Sequence, residues 1–216
     1  MNNILDNKLE KHLLWLTGED GGERFCVADL CDADLHGANL RYADLRNTEL
    51  HNADLRNANL HGANLHGADL HGANLRCADL RDADLHNANL CYADLHNANL
   101  CYADLRNANL CYADLRNTGL RNADLRNTNL RNADLRNADL RNANLHGADL
   151  CNADLDFSSG IPFCCGGTRI KLDRRAFAQM IYHLVNQDWQ DEVAQEFVNS
   201  IPRNIAEMFR QYRGDV

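Results

Sequence analysis

The sequence predicts a β-solenoid, and three observations support that prediction. Leucine occupies every fifth position from Leu30 to Leu155, and Phe25 lies one step earlier in the same phase. The residue two before each leucine is alanine, with threonine in its place at three positions. A period of five fits neither an α-helix, which would spread these leucines over every face, nor a flat strand, which would alternate them between two sides. The chain must therefore bend once in each five-residue word and turn a leucine and an alanine inward each time.

These words, Ala-Asp/Asn-Leu followed by two variable residues, resemble the pentapeptide-repeat family over residues 28–155. The resemblance implies a right-handed quadrilateral β-helix with one word on each side and four words in each coil. Residues twenty apart are then stacked, and nearly seven coils at about 4.8 Å each give a rod of about 32 Å. The expected structural core includes Phe25 and, on one side of the coil, Leu30, Leu50, Leu70, Leu90, Leu110, Leu130 and Leu150.

Residues 1–22 are predicted to form an N-terminal capping helix and a turn. Apolar residues recur there at helical spacing, and Gly18 follows as a stop. An open solenoid end would expose its leucine column and unpaired backbone groups, so any such array requires a cap. An amphipathic helix that binds a partner is the alternative. The apolar face is expected to comprise Leu5, Leu9, Leu13 and Leu16.

The array is predicted to fill residues 23–157 and then to give way to a different region. Gly160 stands where the next leucine is expected, and residues 158–170 are predicted to form a glycine-rich linker. Three apolar patterns at helical spacing follow, so residues 171–216 are predicted to form an α-helical appendage. Three roles are open to this appendage: it covers the last coil, pairs with a second copy in a homodimer, or holds the partner.

One side of the array, which we call the acidic face, is predicted to bear most of the negative charge. Its words are centred on every fourth leucine from Leu30 to Leu150, and they hold five acidic residues against Arg131 alone, a balance of −4. The opposite side has a balance of +1. Tyr92 and Tyr112 are either contact anchors for a partner or a packing ladder between adjacent rungs. The candidate contact residues of the acidic face are Asp29, Asp32, Glu49, Asp69, Asp149, Tyr92 and Tyr112.

Cysteines and histidines follow the repeat, and not the spacing of a disulfide framework or a metal site. Cys91 and Cys111 are predicted to lie on adjacent rungs, close enough to be bridged, although reduced surface thiols are expected in a cytosolic protein. All eight histidines of the array follow a leucine, in a slot that arginine also fills. Because residues on successive sides of a coil point apart, we expect no metal site, and we expect no cofactor.

The composition disfavours several classes of function. No stretch offers a nucleophile with a base and an acid, a phosphate-binding glycine loop, or a set of four metal ligands, so we expect the protein not to be an enzyme. No apolar run reaches the roughly 20 residues that span a bilayer, and the N-terminal sequence lacks the pattern of a signal peptide. A cytoplasmic protein that does not enter the membrane is therefore expected. The formal net charge of −9 disfavours direct binding of nucleic acid.

Two functions that act by binding remain. The first is a rigid protein-interaction scaffold with an unidentified protein partner. The second follows from the resemblance, since some pentapeptide-repeat proteins mimic duplex DNA, bind DNA gyrase and confer quinolone resistance. Duplex DNA would place about 19 charges along a rod of about 32 Å, whereas the 18 acidic residues among positions 28–155 are offset by 12 arginines. The scaffold is therefore the first prediction, and gyrase binding is the alternative.

Overall fold

The computed structural model describes residues 3–26, 28–156 and 158–159. Within these residues the chain forms an α-helix, α1 (Asn3–Thr17), and then a solenoid of isolated parallel β-bridges. No helix in this described part has the length and apolar character that crossing a membrane requires. The first two residues of the predicted linker, Ser158 and Ser159, still follow the repeat, because Ser159 forms a parallel bridge with Asp139. The rest of that linker, the helical appendage and the homodimer expected through it lie outside the described residues.

The solenoid repeats every twenty residues. Each residue that precedes a leucine, from Asp29 to Asp139, forms a parallel bridge with the residue twenty positions later. Four words therefore complete one coil, and the predicted β-solenoid is confirmed. The right-handed sense of the coil stays a prediction.

The core of the solenoid is a dry column of leucines flanked by alanines. Leu30, at the open end, keeps 5% of its surface exposed, and every later leucine through Leu155 keeps at most 1%. Phe25 is equally buried at the head of the column. There the first bridge joins Cys26 to Asp44, only 18 residues away, so the regular register begins one word later.

In the words of the middle coils whose leucine follows Asp or Asn, all five backbone N–H groups are hydrogen-bonded, and this use explains the order of residue types. Alanine donates to the carbonyl of the leucine three residues earlier, which closes a turn. The next three bonds join neighbouring coils, and the Asp or Asn side chain accepts the N–H of the residue after leucine. In the word 88–92, for example, the four backbone bonds measure 3.0, 2.9, 2.7 and 3.0 Å, and Asn89 Oδ1 lies 3.3 Å from the nitrogen of Cys91. Coils joined by this many backbone hydrogen bonds form a stiff frame.

The second residue after each leucine has a left-handed backbone. From Asp32 to Asn152 its φ lies between +52° and +64° where the residue is not glycine, and glycine fills the remaining words. A left-handed residue at the third position of a four-residue turn is typical of type II turns, which favour Gly and Asn there. This requirement explains why Asn and Gly dominate the slot. Seven residues of other types stand in it nonetheless: Asp32, Tyr42, Cys77, Asp82, Tyr92, Tyr102 and Tyr112.

Helix α1 lies against the N-terminal end of the column. Leu5 and Leu9 pack on the core, but Leu13, which was expected on the same face, is 52% exposed. His12 is fully buried in its place because it bonds two backbone groups of the solenoid end. Its Nδ1 accepts the N–H of Phe25 at 3.0 Å, and its Nε2 donates to the carbonyl of Arg41 at 3.0 Å.

Candidate functional site

The acidic face is a single stack in the structure. Its bridging residues follow one another along the rod in the order Asp29, Glu49, Asp69, Asn89, Asn109, Asn129 and Asp149. The first three, together with Asp32, lie within the first three rungs, and we call these four residues the acidic patch. Asp149 is four rungs beyond Asp69, about 19 Å away. The face is therefore acidic at its N-terminal end, and the charge tally from the sequence did not show this uneven distribution along the rod.

A ladder of amides separates the acidic patch from Asp149. Asn129 donates to Asn109 at 2.9 Å and Asn109 donates to Asn89 at 3.2 Å, each from Nδ2 to Oδ1. Asn89 in turn donates to Asp69 Oδ1 at 3.0 Å. Arg131 Nη1 lies 3.5 Å from Asp149 Oδ2, so the distant carboxylate is ion-paired. The middle of the face is thus neutral and internally hydrogen-bonded.

Arginines neutralise carboxylates on the other three sides. In eight words the guanidinium after leucine pairs with the aspartate before it, as Arg106 does with Asp104. The hydrogen bond from Arg106 holds the pKa of the Asp104 carboxyl below its usual value. The three words of the acidic patch contain no arginine. Their carboxylates therefore remain the main concentration of negative charge within the array.

An aromatic column runs beside the stack on the same face. It begins at His51 and continues through His71, Tyr92 and Tyr112, with ring centroids 6.2, 5.6 and 4.9 Å apart in turn. The rings of Tyr92 and Tyr112 are parallel within 3°, so the packing ladder exists. Both tyrosines also remain open to solvent, 57% and 49% exposed. Their role as anchors for a partner stays a proposal.

A groove of about 780 Å³ lies between α1 and the first coil. Leu5 and Leu9 line its helical side, and Asp29 and Cys31 belong to its solenoid side. Hydrogen bonding by Cys31 lowers the pKa of Asp29, whereas desolvation and the bond to Asp29 raise the pKa of the Cys31 thiol. The groove therefore opens onto the acidic patch and onto a protonated thiol.

Three potential metal ligands converge in the acidic patch. Cys31, Glu49 and His51 each offer a donor atom, and these atoms all lie within 4.8 Å of one another. The expectation of no metal site came from histidines on successive sides, whereas in this cluster a cysteine is stacked on a histidine. The readable signal was a Cys and a His twenty residues apart, beside the only glutamate that precedes a leucine of the array.

The comparisons with known proteins agree with this architecture. A family model described as pentapeptide repeats matches eight copies, over residues 22–47, 38–76, 78–117 and 120–156, which is more than half of the chain. The chain belongs to the pentapeptide-repeat family. A comparison with curated proteins found no significant match.

Several solved structures are similar to this pentapeptide-repeat protein. A thylakoid-lumen pentapeptide-repeat protein of Arabidopsis thaliana is 37% identical over 43% of this chain and 68% of its own, with a TM-score of 0.37. HetL, involved in heterocyst differentiation regulation in the cyanobacterium Nostoc sp. strain PCC 7120, is 39% identical over 61% and 68%, with a TM-score of 0.24. QnrB1, a plasmid-mediated fluoroquinolone resistance protein, is 20% identical over 74% and 86%, with a TM-score of 0.43. At these TM-scores, the family assignment depends on the repeat match alone.

Proposed function

We propose that this pentapeptide-repeat protein acts by binding, without catalysis, as a rigid scaffold for a protein partner in the cytoplasm. In this proposal the solenoid is a right-handed four-sided helix, and α1 caps its N-terminal end. The partner contacts the acidic face through the exposed aromatic column and the acidic patch. The observation that supports it is the pair of parallel, solvent-exposed tyrosines, Tyr92 and Tyr112, in left-handed backbone positions.

The left-handed position makes these tyrosines costly for the fold. Residues other than glycine and asparagine are strained there, typically by about 1–2 kcal/mol. A strained residue that is also exposed contributes less packing than a core residue, so the fold alone gives a poor reason for it. Strain of this kind is concentrated at functional positions in proteins. A flat, paired aromatic surface is also a common anchor in protein interfaces.

The charge beside the column indicates the chemistry of the partner. The acidic patch favours a partner that presents lysine or arginine next to an apolar surface that the tyrosines cover. The patch steers the encounter at long range, and the rings supply contact area at short range. Because the frame is stiff, the partner meets a surface that is already ordered and loses little entropy in ordering it.

Affinity capture from the native cytoplasm tests the scaffold. The full-length protein is compared with the double variant Tyr92→Asn/Tyr112→Asn, which keeps a residue type that the slot favours. Tyr102→Asn, on the opposite side at the same kind of position, is the matched control. We expect a partner captured by the wild type and by the control to be lost from the double variant. Equal capture by all three proteins would refute the assignment of the contact surface.

DNA gyrase is the second candidate partner, and the acidic patch is the observation that favours it. Its four carboxylates lie along about 10 Å of the length of the rod, and duplex DNA would present about six charges over the same length. Over the rest of the face the resemblance to DNA is lost, because amides replace carboxylates. An assay of supercoiling by purified gyrase tests this candidate. Inhibition that the variant Asp29→Asn/Glu49→Gln/Asp69→Asn abolishes would support it, whereas no inhibition at micromolar protein would remove it.

A further inference from the structure

The acidic patch contains a donor set that its negative charge alone does not explain. Cys31 and His51 follow leucines in words that are stacked on each other, so their side chains leave the coil side by side. Cys31 Sγ lies 3.6 Å from His51 Nδ1. Glu49 is one methylene longer than the aspartates that usually fill its slot, and its Oε2 lies 3.9 Å from the sulfur. Thiol, imidazole and carboxylate thus meet between the first two coils.

These separations are close to those of ligands around one ion. A tetrahedral zinc with bonds of about 2.3 Å to sulfur and about 2.05 Å to nitrogen holds these two atoms about 3.6 Å apart. The distance between Cys31 and His51 already has this value. The carboxylate of Glu49 is a few tenths of an ångström too far from the sulfur. A small rotation of its exposed side chain closes that gap.

The histidine is also oriented as a metal ligand would be. His51 Nε2 lies 2.9 Å from Asp69 Oδ2, so this nitrogen bears the proton and Nδ1 presents its lone pair towards the sulfur. A carboxylate behind the distal nitrogen is the usual partner of a metal-bound histidine. Asp69 is itself held by the backbone N–H of His71 at 3.1 Å and by the side chain of Asn89 at 3.0 Å. The support behind the imidazole is therefore preorganised.

We propose that Cys31, Glu49 and His51 bind a divalent transition-metal ion of the zinc class, and that Asp69 orients the histidine. The ion takes the sulfur of Cys31 as a thiolate, whose proton is released to solvent, together with one nitrogen and one oxygen. This set suits zinc better than magnesium or calcium, which prefer oxygen alone. Three protein ligands leave a fourth position open for water or for a ligand from a partner. The ion joins the first coil to the second, at the end of the column where α1 packs. This proposal does not depend on the proposed function.

The chain supplies a matched control pair in the same stack. His71 and Cys91 repeat the stacked histidine and cysteine two rungs further along, in the opposite order. The residue that precedes the leucine of Cys91 is Asn89, whose amide is already bonded to Asp69. Among the described residues, Cys31, Glu49 and His51 are the one set of three donors close enough to share an ion.

Cobalt binding tests the proposal on the full-length chain. Cys164→Ser/Cys165→Ser serves as the background, so that thiols outside the described residues do not contribute. We expect one Co²⁺ per chain, with absorption from thiolate-to-cobalt charge transfer, and displacement by Zn²⁺. In that background Cys31→Ser should abolish the charge-transfer band. Cys91→Ser should leave the band and the affinity unchanged.

The affinities of further variants separate ligands from the orienting residue. His51→Gln and Glu49→Gln should each weaken Zn²⁺ binding at least about 10-fold. Asp69→Asn should weaken it about 10-fold to 100-fold while the charge-transfer band is retained, as for other residues behind a metal-bound histidine. Circular dichroism establishes that each variant is folded. Three results would overturn the proposal: no saturable binding at micromolar metal, a band that survives Cys31→Ser, or an equal loss in Cys91→Ser.

Discussion

The left-handed slot allows a direct comparison of one substitution at two adjacent positions. Asn122 is the second residue after a leucine and has a φ of +57°, whereas Arg121, the first residue after it, is not among the positive-φ positions. Valine is β-branched and clashes with its own backbone in the left-handed region. Asn122→Val should therefore lower the free energy of unfolding by about 1–2 kcal/mol. Arg121→Val, on the exposed neighbour, should change it by no more than about 0.5 kcal/mol.

Equilibrium unfolding in urea of the full-length protein measures both changes. Asn122→Gly is the third variant, and it should stay within about 0.5 kcal/mol of the wild type, because glycine adopts a positive φ without strain. The three midpoints are compared at an unchanged slope, since a change in slope would indicate a different unfolded state. Equal losses for the two valine variants would refute the reasoning. A large loss in the glycine variant would show that the asparagine side chain stabilises the coil by contacts and not by its tolerance of the turn.

Three further predictions concern the core, the helix and the acid limb of stability. Leu90→Ala, in the middle of the dry column, should lower the free energy of unfolding by about 2–5 kcal/mol in the same urea assay, and a loss below about 1 kcal/mol would contradict a packed core. Burial lowers the pKa of His12 from its ordinary 6.5, so below that pH the unfolded state binds more protons than the folded state. The contribution of His12 to stability is therefore lost as the pH falls below 6.5. The protection factors of amide hydrogen exchange in residues 3–17 should then fall on mild acidification, and unchanged protection factors would count against the docking role of His12. The hydrogen bond from Arg106 lowers the pKa of Asp104, so the contribution of this carboxylate to stability is present above about pH 4 and is lost at lower pH. Asp104→Asn should therefore reduce the fall in stability at acid pH, as urea midpoints measured against pH would show.

The period of five was sufficient to predict the coil. Each word had to turn its leucine inward, and only stacking at a fixed interval could bury the whole column. The left-handed position was also predictable from the sequence, because Asn and Gly recur at the second position after leucine. Both residues after leucine were expected to vary, but the second is restricted by the turn that closes each side.

The electrostatic pattern was only half accessible from the sequence. Sorting the words by side assigned Asp29 and Asp149 to one face, where the structure places both. Counting charges could not show that Asp149 is paired with Arg131, although the absence of arginine from the words of the acidic patch is readable in the sequence. Side-chain reach decides such pairing, and repeat arithmetic does not contain it. The burial of His12 could not be predicted for a similar reason. It depends on hydrogen bonds to two backbone groups of the solenoid, and helical spacing does not reveal those groups.

The twenty-residue register also limits how the gene of such a protein can change. Duplication of four words inserts one more coil and leaves every side chain on its original side of the solenoid. Gain or loss of a single word moves every later word to the neighbouring side of the coil. Such a change between Tyr92 and Tyr112 would place these two tyrosines on different sides, even though every leucine stayed buried. Related proteins that keep a binding surface should therefore differ in length by whole coils of twenty residues.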